Sequence, residues 1–208
     1  MVLLAVIASY ILGSIPTGYI LVKAIKGIDV RSHGSGNFGA TNVFRVVNPA
    51  LGILVLILDI LKGLVAATFI ADWALGSSIS IDPIILRLLL AAAAVSGHNW
   101  TIFLQFKGGK GIATTAGALL GLSIKIPQLG LLFGLCFGIW LLILLSTGIV
   151  SLASILASIS LPIFMLIFHQ PFKLQIFTIA LCLFALYRHK SNIRRLLRGE
   201  EKTIFERS

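Results

Sequence analysis

Three stretches of this sequence gather residue types able to hold a phosphorylated or carboxylated group. The first is Gly34-Ser35-Gly36-Asn37-Phe38-Gly39-Ala40-Thr41-Asn42, followed by Arg45. Its glycines permit backbone conformations that turn successive N–H groups toward one point, a nest suited to an anion. Ser35, Asn37, Thr41 and Asn42 add neutral polar groups, and Arg45 adds a planar fork of donors matched to phosphate. On glycine content alone, a flexible linker between helices reads much the same. Gly34-x-Gly36-x-x-Gly39 also fits the dinucleotide fingerprint, and Asp59 follows at about the right distance. That fingerprint needs a preceding strand, whereas an apolar, helix-like run precedes it here.

The second stretch is Lys107-Gly108-Gly109-Lys110-Gly111-Ile112-Ala113-Thr114-Thr115. Backbone N–H groups at a helix N-terminus, with two lysines beside them, make a phosphate or carboxylate site. It is not a Walker loop: Leu104 stands where that motif needs glycine, and Gly111 where it needs Ser or Thr. The bland alternative is a pair of cytoplasmic anchoring charges. The third stretch is Tyr187-Arg188-His189-Lys190 through Glu201, in which His189, Asn192 and Arg195 recur at helical spacing. A charge run of this kind can equally serve as a solvated tail or a contact for anionic lipid.

Other polar residues have simpler readings. Asp59 and Lys62 are three apart within an apolar run, so pairing for packing and a role beside a site are both open. Arg87 reads as an anchor that snorkels to the outer interface, His98 as an interfacial helix cap or else a proton carrier, and His169 as incidental. Ser151 and Ser154 read as helix-packing residues. Local sequence offers no Ser/His/Asp relay. The positions five residues after the histidines are Phe38, Phe103, Leu174 and Arg194, so no His-x4-Asp acyl-transfer signature occurs. Acidic residues near the basic stretches are few, which argues against a metal centre.

The elements that must position these residues are apolar helices. Of the 208 residues, 58% are hydrophobic and 12% charged, and the mean hydropathy is +1.04. A soluble domain carries about 25% charged residues, so lipid is this chain's solvent. Apolar segments near 2–22, 50–71, 84–104, 112–126, 129–145, 149–168 and 171–187 are each candidates to cross the bilayer. The start lacks the basic region of a removable signal peptide, so the first helix is expected to stay in the protein with its N-terminus outside. Stretches 23–48, 99–111 and 188–208 then lie in the cytoplasm with four, two and seven Lys or Arg, against Lys125 and Lys173 in outer turns. The expected fold is therefore all-α: seven transmembrane helices, N-terminus outside and C-terminus in the cytoplasm, in one domain over 1–208.

The net charge of +10 is that of cytoplasmic membrane loops rather than of a nucleic-acid binder. Cys136 and Cys182 sit in apolar runs and suggest neither a disulfide nor a metal site. No internal repeat is present. An anion transporter would place its polar residues near the bilayer midplane, often in two related halves, whereas here they crowd one interface. A lipid-head scaffold without chemistry would need no pair of glycine nests.

These residues together resemble the bacterial acyl-phosphate:glycerol-3-phosphate acyltransferase family. The resemblance rests on Gly13-Ser14-Ile15-Pro16, the Gly34–Asn42 stretch through Arg45, Asp59-x-x-Lys62-Gly63, Gly97-His98, Phe106–Gly111, Ser151-Leu-Ala-Ser154 and Tyr187-Arg-His through Glu201. The matches run in order along nearly the whole chain. Phe38 stands where proline is common in that family, and the run before Ser151 lacks a basic residue often found there. The resemblance implies a bacterial inner-membrane enzyme that needs no cofactor or metal. Its implied substrates are acyl phosphate and glycerol 3-phosphate, and its implied partner is an upstream enzyme producing acyl phosphate. It implies Ser35, Arg45, Lys110, His189 and Asn192 as catalytic residues. Gly34, Gly36, Asn37, Gly39, Thr41, Asn42, Lys107, Gly108, Gly109, Gly111, Arg195 and Glu201 are the expected substrate-binding set, with the Gly108–Gly111 backbone cradling the acyl phosphate.

Overall fold

The structure is a computed structural model that describes residues 1–77 and 80–206. Ser78, in the expected outer turn, and Arg207 and Ser208, at the end of the basic tail, lie outside the described residues. All the regular structure described is helical, and it divides into two compact units, Met1–Lys125 and Ile126–Glu206.

In the first unit the opening span is broken. Helix α1 (Val2–Ser14) stops before Pro16, which has no N–H and forces the turn, and α2 (Thr17–Lys26) resumes after it. Backbone carbonyls freed at such a break need partners in an apolar medium. The Ser14 carbonyl accepts from Thr101 Oγ1 at 2.5 Å, and the Ile15 carbonyl accepts from Lys62 Nζ. A short helix α3 (Ala40–Val46) leads to α4 (Pro49–Val65), which Asn48 caps by accepting from the Leu51 N–H at 2.8 Å. A π-turn over Ala66–Ile70 joins α4 to α5 (Ala71–Leu75).

Helix α6 (Pro83–Asn99), capped by Asp82, packs along α1, and α7 (Ile112–Lys125) packs along α4. The second pair is close because Gly63 and Gly117 lie at the contact: a Cβ on Gly63 would come 1.9 Å from the Thr114 carbonyl oxygen. At the far end of this unit, Arg87 departs from the snorkelling anchor expected. It is 7% exposed, donates to the Ala67 carbonyl at 2.9 Å within the π-turn, and pairs with Asp72. Asp72 also receives Lys125 at 2.7 Å. A wide turn leaves a carbonyl without its usual helical donor, and a buried guanidinium supplies one.

The second unit consists of α8 (Gln128–Thr147), α9 (Val150–Ile167), α10 (Phe172–Arg188) and α11 (Lys190–Leu197). Helix α9 packs between α8 and α10. Phe133, Phe137 and Trp140 stack along α8, and Trp140 Nε1 donates to Ser154 Oγ at 3.2 Å. Ser154 thus does the packing work expected of it; Ser151 has a different partner, described below.

Every apolar segment expected from sequence is mainly helical, the first interrupted at Ile15 and Pro16 and the third at Trp100 and Thr101. Among the described residues, five helical stretches are long and apolar enough to cross a membrane: Val2–Lys26, Pro49–Leu75, Pro83–Leu104, Gln128–Thr147 and Val150–Ile167. Phe172–Arg188 and Lys190–Leu197 form one more candidate, bent by 63°, and Ile112–Lys125 is a shorter apolar helix.

Candidate active site

Both glycine-rich stretches lie in the first unit. The Gly34–Asn42 loop follows a 3-10 turn at Val30–Ser32 and runs into α3. Gly34 and Gly36 have φ of +58° and +70°, the left-handed region that a nest requires. At Gly34 a side chain is doubly excluded, since a Cβ would lie 2.4 Å from Asn42 Oδ1. Asn42 is the hub of the loop. It is 3% exposed, its Oδ1 accepts from the Ser35 N–H at 2.9 Å, and its Nδ2 donates to the His33 and Val30 carbonyls at 3.1 and 3.3 Å. Asn37 Oδ1 accepts from the Gly39 N–H at 2.8 Å. These two amides, in the substrate-binding set expected from sequence, have these contacts within the loop and to the turn before it. The Ser35 side chain is exposed, and Thr41 and Arg45 are half-buried.

His33 does not activate Ser35 through a carboxylate. Its Nδ1 lies 3.0 Å from the Asp29 carbonyl and 3.0 Å from Ser32 Oγ. The Asp29 carboxylate is taken by Arg31 at 2.7 Å, a contact that pulls its pKa from 3.8 down to about 2.

The Lys107–Gly111 stretch is a tight loop bedded on the end of α6. The backbone reverses at Gln105 and Phe106, both with positive φ, and the Phe106 N–H returns to the Thr101 carbonyl at 2.8 Å. The Gly109 N–H donates to the His98 carbonyl at 2.9 Å. That donor anchors the loop, so the cradle expected from the Gly108–Gly111 backbone does not include the Gly109 N–H. Lys107 is exposed, Lys110 half-buried, and Gly108, Gly109 and Gly111 buried. Gly111 has φ +77°, and a Cβ there would come 2.5 Å from Asn99 Oδ1. The Thr115 N–H donates to the Gly111 carbonyl at 2.7 Å, so α7 springs directly from this glycine.

Beneath the loop lies a buried ionic network. Asp59 and Lys62, exposed by 1% and 4%, pair at 2.6 Å, and Thr17 Oγ1 donates to Asp59 at 2.7 Å. His98, the expected interfacial cap, is 4% exposed in the last turn of α6, with Nδ1 3.7 Å from Asp59 Oδ1. Its ring also meets Phe38 from the first loop, centroids 5.6 Å apart.

In the second unit a carboxylate gathers the polar groups. Glu201 Oε1 accepts from Asn192 Nδ2 at 2.6 Å and from Ser151 Oγ at 2.8 Å, and Oε2 accepts from Arg195 Nε at 2.6 Å. Burial alone would raise the Glu201 pKa, but the hydrogen bonds from Arg195, Asn192 and Ser151 outweigh it and hold the carboxyl below its ordinary value. His189, 2% exposed at the α10–α11 bend, places Nδ1 2.7 Å from the Ala185 carbonyl. A carbonyl only accepts, so Nδ1 carries the proton and Nε2 is left as the other ring nitrogen.

Sequence reading did not foresee Thr17 beside Asp59, the packing of Asn99 under Gly111, or the bond from Ser151 to Glu201. The break at Pro16 signals the first, because a hydroxyl two residues after the freed Ile15 carbonyl is well placed to join its hydrogen bonds. The other two contacts span 12 and 50 positions in the numbering and leave no local trace.

Residues 3–199 match the family described as glycerol-3-phosphate acyltransferase. The chain belongs to that family. A glycerol-3-phosphate acyltransferase of Desulforudis audaxviator is 42% identical over 200 residues, covering 96% of this chain and 94% of the relative. One of Synechococcus elongatus is 44% identical over 212 residues, covering 99% and 97%. The fold is similar to that of crystal structures of PlsY (YgiH), an integral membrane glycerol 3-phosphate acyltransferase. Its glycerol 3-phosphate form matches with a TM-score of 0.84 and its lysophosphatidic acid form with 0.81. Each is 38% identical and covers 97% of this chain and 94% of the other. This chain is accordingly an integral membrane acyltransferase. The family match contains both glycine-rich loops, His189, Asn192 and Arg195, and ends just before Glu201.

Proposed function

We propose that this enzyme transfers a fatty acyl group from an acyl phosphate to the 1-hydroxyl of sn-glycerol 3-phosphate. The products are 1-acylglycerol 3-phosphate and inorganic phosphate, and the reaction is an early step of phospholipid biosynthesis. The observation that carries this reading is a pair of glycine-rich, basic loops in a chain that matches the family over residues 3–199. Both substrates are phosphates, and each loop offers what a phosphate needs: left-handed glycine that turns the backbone (Gly34 and Gly36 in the first, Gly111 in the second), with a cation alongside.

In this reading Ser35, Arg45 and Lys110 of the first unit contact substrate, with Lys107 and the glycines of both loops shaping the binding surface. His189, Asn192 and Arg195 are the polar residues that the family resemblance assigns to substrate in the second unit, where Glu201 holds the last two in place. The substrate oxygen attacks the acyl carbon, the bond to phosphate breaks, and the departing phosphate accepts the hydroxyl proton. Most of the acceleration comes from holding hydroxyl and carbonyl together and from donors aimed at the developing oxyanion. Ser35 orients substrate without attacking it, since His33 has no orienting carboxylate to make it a strong base. Initial rates over a grid of both substrates should then intersect, and protein mixed with acyl phosphate alone should gain no acyl mass. Parallel lines with an adduct at Ser35 would overturn that step and leave the overall reaction standing.

The same reading places seven spans in a bacterial inner membrane, N-terminus outside, with the chemistry facing the cytoplasm. The distribution of Lys and Arg supports it. An impermeant thiol reagent should reach a cysteine at Ser32 from the cytoplasm and one at Ser78 from outside. Labelling of both from one side would break the alternation. The deciding assay uses purified protein in lipid. Palmitoyl phosphate and glycerol 3-phosphate should yield lysophosphatidate without metal, nucleotide or carrier protein. Equal rates with acyl-coenzyme A would overturn the donor assignment.

A further inference from the structure

The corner at the end of α6 holds a polar group that nothing in the described residues uses. Asn99 is 1% exposed, and neither its Nδ2 nor its Oδ1 has a hydrogen-bond partner among the described residues. Leaving a buried amide unsatisfied lowers stability, and an apolar side chain of the same shape would avoid the penalty. Asn99 therefore stands where the fold alone would favour leucine. It lies directly against the Lys107–Gly111 loop. A Cβ on Gly111 would come 2.5 Å from Asn99 Oδ1, and one on Gly108 would come 2.5 Å from the Asn99 carbonyl oxygen.

Its neighbour is fitted to the same loop more tightly still. A Cβ on Gly109 would lie 2.0 Å from His98 Nε2, so the imidazole occupies the space a side chain would need. The Gly109 N–H is meanwhile held by the His98 carbonyl at 2.9 Å. The ring is fixed from behind. Asp59 is 3.7 Å from Nδ1, and Asp59 is itself held by Thr17 and Lys62 at 2.7 and 2.6 Å. Phe38 packs beside the ring. A continuous set of contacts thus runs from the α4 ion pair, through the imidazole, to a glycine of the loop, all within the first unit.

We propose that His98 and Asn99 are positioning residues: together they form the bed that sets the shape of the Lys107–Gly111 loop for phosphate, His98 by packing on Gly109 and Asn99 by its amide beneath Gly111. The inference rests on the reading of that loop as a phosphate-holding element.

The test measures KM for each substrate, kcat and thermal melting in detergent for five variants. Lys110→Ala calibrates the loop and should raise KM for one phosphate substrate at least tenfold more than for the other. Asn99→Leu should melt at the same or a higher temperature, yet raise that same KM at least tenfold with kcat within threefold of wild type. A merely structural residue would lose stability and activity together, and that result, or full activity with raised stability, overturns the proposal for Asn99. Gly109→Ala should cost more than tenfold in kcat/KM in the wild type but less than threefold in a His98→Ala background, where the ring has vacated the space. Additive losses in the double variant overturn the role of His98. If Lys110→Ala shifts neither KM, the reading of the loop itself fails and the inference falls with it. If Lys110→Ala shifts one KM and Asn99→Leu shifts neither, only the inference fails.

Discussion

Two polar hubs organise the candidate site residues by opposite means. In the first unit the hub is a neutral amide: Asn42 uses one acceptor and one donor group to tie Ser35, His33 and Val30 into a loop. In the second unit it is a carboxylate: Glu201 draws Ser151, Asn192 and Arg195 onto two oxygens. The amide is held inside a segment of chain, and the loop's left-handed glycines do much of the shaping. The carboxylate holds together groups from two separate helices, α9 and α11, and charge is what holds them. An anion-binding loop gains from a neutral hub, because a carboxylate there would repel phosphate. A cluster built around an arginine tolerates a negative hub, because the two charges offset each other. The difference predicts that the second hub is the more damaging to remove and the only one of the two that titrates.

The largest effect is expected at Glu201. Glu201→Ala strands the buried Asn192 amide and frees Arg195, so acyl transfer should fall more than 100-fold with a loss of folded protein from membranes. Glu201→Gln keeps one oxygen acceptor but turns an amide toward Arg195, and should retain more activity than alanine does. Rates per folded molecule, with folding followed by gel filtration, decide the matter. Near-wild-type activity in Glu201→Ala would show that the cluster is a bystander.

Asn42→Ala comes next. A buried hydrogen-bonded amide contributes about 1–3 kcal/mol through the groups it leaves unpaired. Activity should fall about tenfold, an estimate that takes those figures as distortion of the loop around Ser35. Asn42→Asp sharpens the comparison. It keeps the acceptor for the Ser35 N–H but aims a carboxylate oxygen at the His33 and Val30 carbonyls, so it should be no better than alanine. Full activity in Asn42→Asp would mean that charge is tolerated at the first hub and that the contrast is empty.

The third prediction concerns pH. The hydrogen bonds at Glu201 hold its folded pKa below the ordinary 4.5, so the proton binds more weakly in the folded protein than in the unfolded one. That stabilisation is fully present above the ordinary value and is lost as the pH falls through the lower, folded value. Melting temperature should therefore drop below about pH 4.5 in the wild type, and less steeply in Glu201→Gln. Asn42 does not titrate, so Asn42→Ala should melt lower than wild type at every pH with the wild-type slope. Parallel curves for Glu201→Gln and wild type would remove the carboxylate from this account.

The contrast also explains which parts of the molecule could be read in advance. Each apolar helix was legible because hydropathy is summed over about twenty residues and no single contact matters. Asp59 and Lys62 were legible as a pair because three residues is one helical turn. The loop glycines were legible because a left-handed backbone selects glycine locally, as it does at Gly34 and Gly111. What failed was everything decided by distant neighbours. Arg87 looked like a snorkelling anchor because its acceptor, the Ala67 carbonyl, lies twenty residues earlier, in the π-turn. The bonds from Asn42 to the Val30 and His33 carbonyls, twelve and nine residues earlier, were not legible either. Glu201 sat in a basic tail with nothing to mark Ser151, fifty residues earlier, as its partner.

The smallest effect is expected at Asp29, where a charge pair exists without a buried hub. Asp29 accepts from both the backbone and the side chain of Arg31, two residues on, and caps the 3-10 turn that precedes the first loop. Arg31 in turn lies over the Tyr19 ring at 4.7 Å. The carboxyl is drawn to about 2, which in a buried setting would amount to about 2.5 kcal/mol at neutral pH. But the two side chains are 35% and 36% exposed, so solvent and salt screen the pair to less than about 1 kcal/mol. Its contribution, like that of Glu201, is present above the ordinary carboxylate range and fades as pH falls toward 2. Asp29→Asn preserves an oxygen for the Arg31 N–H and removes only the charge. It should change activity less than about twofold and melting by no more than a few degrees. Added salt should erase even that difference, because screening acts on the charge and not on the cap. A tenfold loss of activity in Asp29→Asn, persisting in high salt, would show that this exposed turn is coupled to Ser35 far more tightly than its local geometry provides for.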